Sequence, residues 1–181
     1  MAGILELVKT TTSSSNADIV SITDCFTSKY DIYKVIYVFE DDSGTANNTF
    51  VRFLDSSNAA INSTSTYSYA ARNLNGGSGV ELDVRNAGQN EIFISYLPDK
   101  DLSLGKQREG VLYVFNPFDS SSFTYLIAHS YGTSTSNEFL SAKAIGALKT
   151  TGTHKGIQVI HVGGGNGVKS GATIKVYGVK K

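Results

Sequence analysis

The closing stretch, Val162–Lys181, reads VGGGNGVKSGATIKVYGVKK. A glycine-rich run ending in Lys-Ser can cradle a phosphate, and the residues after it decide the fold. Counted from Gly163, the phosphate-loop pattern G-x-x-x-x-G-K-[ST] demands glycine where this chain has Val168. The pattern also demands a helix next, because the anion sits on that helix's N-terminal N–H groups. Instead Ala172, Ile174 and Val176 alternate with Thr173, Lys175 and Tyr177. That is a period of two, the mark of a strand. The nucleotide reading fails. "GNG" then reads as the tip of a hairpin joining the last two strands, with Lys169 a solvated side chain.

The same period runs back through the chain. In "VELDV", Val80, Leu82 and Val84 alternate with Glu81 and Asp83. Tyr67, Tyr69 and Ala71 share one face of "TYSYAAR". Tyr30–Glu40, "YDIYKVIYVFE", is apolar at both parities, which predicts a central strand covered on both sides. Asn137–Lys149 carries a partial helical stripe, but Gly146 and its β-rich neighbours favour a strand. With 10 Tyr, 9 Phe and only 2 Pro, the composition suits pleated, half-buried surfaces. About 11 strands with short polar turns result. Two apolar sheet faces must bury each other, so the fold class is all-β: a two-layer antiparallel β-sandwich of jelly-roll type.

Residues 1–16 stand apart in composition. Ile4, Leu5, Leu7 and Val8 precede "TTTSSSN", Thr10–Asn16, so the segment reads as an N-terminal arm with a Ser/Thr-rich linker. Residues 17–181 form the sandwich. Burying those four side chains on a neighbour would contribute about 6–10 kcal/mol before ordering costs. The alternative is that the segment is the sandwich's own first strand.

Positive and negative side chains balance to a formal net charge of zero, which argues against a nucleic-acid partner. No apolar run is long enough to cross a bilayer, and Met1–Lys9 lacks the basic start of a secretory signal. One cysteine, Cys25, allows no internal disulfide and reads as a small buried hydrophobe. His129, His154 and His161 lack zinc-ligand spacing. Glu40, Asp41, Asp42, Asn47 and Asn48, or Asp99 and Asp101, offer oxygens for calcium, although such loops are commonly just solvated. Glu81, Asp83 and Glu91 supply carboxylates for glycoside hydrolysis, but outward strand positions suit solubility. No G-x-S-x-G elbow occurs. The expectation is a protein with no catalytic residues, no metal and no cofactor. Among exposed-aromatic readings, Tyr67, Tyr69 and Tyr131, with Tyr96 and Tyr177, could stack on sugar rings; core packing is the competing account.

Taken together, "ILELVK", "YDIYKVIYVFE", "FVRFLDSSN", "YSYAARNL" and the closing "SGATIKVYGVKK" carry a resemblance that extends over most of the chain. The string resembles small virion structural proteins of tailed phages that infect cyanobacteria and other aquatic bacteria. The resemblance implies a β-sandwich carried on the particle and made in the host bacterial cytoplasm. It would act as a decoration or cement protein on the head, or as a tail or tail-fibre component binding host carbohydrate. Its partners would be major capsid or tail proteins and copies of itself, in a homo-oligomer such as a trimer, with no nucleic acid and no membrane. The family transfers no catalytic or ligand residue.

Overall fold

The computed structural model describes residues 4–40, 47–76, 81–97, 107–133, 139–162 and 167–180. Its regular structure is entirely strand. The first six are β1 (Leu5–Thr12), β2 (Ile19–Ile22), β3 (Ile32–Glu40), β4 (Asn47–Leu54), β5 (Tyr67–Asn75) and β6 (Glu81–Gln89). The second six are β7 (Ile92–Leu97), β8 (Gln107–Phe115), β9 (Thr124–Thr133), β10 (Phe139–Leu148), β11 (Gly156–Val162) and β12 (Thr173–Val179). They form an eight-stranded sheet, β1-β12-β3-β8-β9-β10-β5-β6, and a four-stranded sheet, β2-β11-β4-β7. All pairings are antiparallel.

The order carries the topology. With β5, β6, β9 and β10 set aside, the remaining eight strands lie as first-eighth-third-sixth over second-seventh-fourth-fifth. That arrangement of two interleaved Greek keys is a jelly roll. The four strands set aside widen one of its sheets beyond β8. The protein is therefore a β-sandwich in which an eight-stranded layer packs on a four-stranded one.

Three expectations need correction, and the strand expected over Asn137–Lys149 holds as far as Phe139–Leu148. "GNG" does not join a hairpin: β11 lies in the small sheet and β12 in the large one, so the chain there crosses between layers. Gly163–Asn166 fall outside the described residues, but beyond them Val168 exchanges two backbone hydrogen bonds with Ala17. Lys169 is not merely solvated, because its ammonium meets Glu40 at 2.9 Å. Phe139–Leu148 is strand β10, hydrogen-bonded on both sides, with no helical turn. The alanines and glycine at its even positions are small where β7 packs on them. Lastly, β3 is covered on one face only. Tyr33, Val35, Tyr37 and Phe39 are buried, whereas Ile32, Ile36 and Val38 are half-buried on the outside.

The segment 5–12 lies along the molecule as edge strand β1, paired with β12 from Leu5↔Val179 to Thr12↔Thr173. Thr10–Thr12, read as linker, belong to that strand. Glu6 fastens it through ion pairs to Lys29 at 2.6 Å and Lys180 at 3.3 Å, and these cations hold its carboxyl at about 2.

Three interior features tie the fold together. Tyr37 on β3 lies opposite Gly110 on β8, which lies opposite Ser130 on β9. A Cβ on Gly110 would collide with the Tyr37 ring. With none there, the ring crosses β8 and its hydroxyl bonds the Ser130 hydroxyl at 2.8 Å. Toward the added strands, inward side chains shrink to Ala128, Ala144 and Ala71 in one cross-strand row. Small residues let β7 come close against β10, β5 and β9. At Gly146 a Cβ would meet the Ile92 side chain at 2.6 Å. Finally, the buried Tyr67 hydroxyl donates to the Ile61 carbonyl at 2.8 Å and accepts the Phe53 N–H at 3.0 Å, linking β5 to β4.

Gly110→Ala is expected to destabilise the fold by about 1–3 kcal/mol through forced overpacking, read as a lower denaturation midpoint. His154 supplies a pH-linked prediction. It is buried with Nδ1 2.8 Å from the Thr124 hydroxyl, and burial pushes its pKa down. The unfolded chain therefore takes up a proton near pH ~6.5 while the folded one stays neutral. Stability is fully present above that pH and falls as pH drops below it. A titrated melting series should show a shallower fall for His154→Asn.

Candidate functional site

The outer face of the large sheet has no second layer. Reading the register across it places outward side chains in straight rows. One row runs Leu7, Tyr177, Lys34, Tyr113, Ile127, Ile145, Ala70 and Arg85. The next runs from Lys175 through Ile36, Val111, His129, Lys143 and Arg72 to Asp83. A twisted sheet is saddle-shaped and hollow along one diagonal, and over β9, β10 and β5 this surface holds two adjoining depressions.

The first depression, about 490 Å³, is lined mostly by carbon: Phe115, Tyr125, Ile127, Ile145 and Ala147. The second, about 780 Å³, shares Ala70, Ile127 and Ile145 with it and is rimmed by Arg72, Arg85, Lys143, His129 and Asp83. Together they make one groove with an apolar end and a cationic end. Ile145 is 59% exposed, Tyr125 47%, Tyr113 40% and Ile127 39%, so four large apolar side chains on three neighbouring strands face water. A contiguous patch of this kind is a candidate interaction surface. At the other end three cations stand against one described carboxylate. Arg72 reaches Asp83 at 3.7 Å, but both are well exposed, so the pair contributes little to stability.

The residues singled out for sugar stacking do not come together. Tyr67 is fully buried and its hydroxyl is doubly bonded, so it cannot meet a sugar. It does share a face with Tyr69 and Ala71, but that face points into the core. Tyr69 on the same inward face stacks on Phe93 at 6.0 Å between centroids. Tyr131 is on the outer face and donates to the Glu109 carboxylate at 2.6 Å, which holds its hydroxyl above the usual tyrosine range. Its exposed companions are Tyr113 and Tyr125, which sequence reasoning does not single out. Knowledge of which parity faces out in β8 and β9 would find them. Of the proposed arm residues, Ile4, Leu5 and Leu7 are exposed along β1, while Val8 packs against the core.

The remaining candidates scatter. Asp41, Asp42, Asp99 and Asp101 lie outside the described residues. Asp83 is on the large sheet, whereas Glu91 pairs with Arg52 at 2.8 Å beside the small sheet, its pKa raised by burial against the pull of that guanidinium. His161 and His154 are buried, each beside a threonine hydroxyl, and His129 lies on the groove rim. Among the described residues no three His, Cys, Asp or Glu side chains group as metal ligands. Cys25 is buried, and burial pushes its thiol up to about 12, which leaves it unreactive.

No protein-family model matches the chain, and no curated protein matches it. Among solved structures, it aligns with a chain from "Structure of infectious bursal disease virus Gx strain" at 8% identity and a TM-score of 0.15. The alignment covers 99% of this chain and 42% of that one, so this chain spans less than half the neighbour's length. A likeness at that score carries no argument about fold or function.

Because the groove is solvent-facing and Tyr67 is structural, the two should separate in a stability assay. Ile145→Asp is expected to change stability by less than about 0.5 kcal/mol. Tyr67→Phe leaves the Phe53 N–H and Ile61 carbonyl without their hydroxyl, and should cost about 1–3 kcal/mol. Chemical denaturation of the two variants checks both.

Proposed function

We propose that this chain is a non-enzymatic structural protein of a tailed-phage particle, seated on the head as a decoration or cement protein. It holds to its neighbours through the outer face of the eight-stranded sheet. The observation that carries the reading is that face: Tyr113, Tyr125, Ile127 and Ile145 are exposed together although the fold has an interior able to hide such side chains. Exposure of this kind is costly unless a partner covers it. Two further considerations support the assignment to a virion. The sequence resembles small virion proteins from Ile4 to its closing strand, and jelly rolls recur in viral capsid domains. The second of these is an analogy of fold alone.

A second reading is a tail or tail-fibre module that binds host carbohydrate. Tyr113, Tyr125 and Tyr131, all on the outer face of β8 and β9, favour it, since exposed aromatic rings suit the apolar side of a sugar.

Electron microscopy of particles carrying gold-labelled protein tests the first reading. Label on the shell is expected, and Ile145→Asp should reduce occupancy at least tenfold with its melting temperature intact. Label confined to the tail, together with glycan-array binding lost in Tyr125→Ala, would transfer the assignment to the second.

A further inference from the structure

The groove is divided along its length, and the division says what kind of partner fits it. Resting on the assembly reading above, we infer that it holds an extended segment of a partner protein that carries apolar side chains at one end and Asp or Glu at the other. The apolar side chains enter the depression between Tyr125, Ile127 and Ile145, and the carboxylates meet Arg72, Arg85 and Lys143.

Charge and desolvation select this occupant. The carbon-lined end offers a sugar almost no hydrogen-bonding group, so hydroxyls buried there would lose water without compensation. A single-stranded nucleic acid needs cations along its whole track, and here they gather at one end. A second copy seated about a two-fold would set Arg72, Arg85 and Lys143 against the same three residues with the axis along the groove, and against the carbon-lined end with the axis across it, so neither arrangement neutralises them. An acidic, apolar-anchored peptide opposes none of these terms. It places like against like in the apolar half and opposite charge against the cations in the other. From Phe115 on β8 to Asp83 on β6 the groove crosses four inter-strand gaps diagonally. At about 4.8 Å per gap, that is room for roughly seven extended residues.

The test uses the intact protein and a fluorescein-labelled octapeptide, three leucines alternating with serine or glutamate and ending in further glutamates. Its counterpart with lysine for glutamate and polygalacturonate are the controls. Saturable binding is expected for the acidic peptide, with amide shifts at Ile127 and Ile145 in heteronuclear NMR. The double variant Arg72→Glu, Lys143→Glu should weaken it at least about tenfold. Both side chains are exposed, so an unchanged melting temperature certifies the variant's fold. Equal binding of the lysine counterpart overturns the inference, as does no binding at all. Polygalacturonate shifting the same amides in place of the peptide makes the groove a glycan site and also overturns it. Self-association in sedimentation that Ile145→Asp abolishes does the same in favour of a second copy. On particles, a double variant retained at the wild-type level sinks the inference alone, whereas wild-type protein missing from particles sinks the assembly reading beneath it.

Discussion

Eight strands lie on four, and the molecule is organised around that mismatch. At about 4.8 Å per strand the wide layer is twice as broad as the narrow one, so a flat stack would leave half of it bare on both sides. Most of the interior is nevertheless closed, although outermost β6 sets only Val84 of its described side chains against the core. The row of Ala128, Ala144 and Ala71 thins the wide layer where it would otherwise outrun its partner, and β7 closes over it with Ile92 and Ile94. The jelly roll proper and its four added strands thus share one core. Tyr37 makes the join explicit: it starts on a jelly-roll strand, passes over Gly110 and ends on Ser130 of an added strand.

The closed interior leaves the opposite side uncovered. Every strand of the wide layer presents its odd or even set to solvent, and in β8, β9 and β10 that set includes the large apolar Tyr113, Tyr125, Ile127 and Ile145. The groove therefore lies mainly on the added strands, with Phe115 of the jelly roll's β8 at its apolar end. Its shape derives from sheet twist, its greasy end from Tyr125, Ile127 and Ile145, and its charge from Arg72, Arg85 and Lys143. A surface in which neighbouring strands supply different chemistry discriminates more between partners than a uniform patch would.

Much of this is legible in the sequence, because alternation is a local signal. The strands and the sandwich come from period two and the need to hide one face, and a jelly roll is a common way to close such a pair of sheets. What periodicity cannot give is which parity faces in. Alternation places Tyr67, Tyr69 and Ala71 on one side of β5, but only packing shows that side to be interior. For the same reason alternation does not single out Tyr113 and Tyr125, although each belongs to a recognisable strand. The "GNG" turn misleads because a glycine-rich tip looks alike whether the chain returns beside itself or changes layer. That choice depends on contacts far away in sequence, such as Val168 with Ala17. The small inward residues of β10, Ala142, Ala144 and Gly146, answer to packing against β7, a tertiary demand with no local cause.

The pairing of β1 with β12 sets a schedule for the ribosome. Thr12 must wait for Thr173, some 160 residues later. At about 5–20 residues per second, that leaves Ile4, Leu5 and Leu7 without their neighbour for roughly ten to thirty seconds. Over that time the nascent chain carries an unpaired strand whose backbone N–H and C=O groups are open to other chains. Its safe arrival depends on whatever shields newborn polypeptides in the cell, and crowded synthesis at high copy number would strain that protection first.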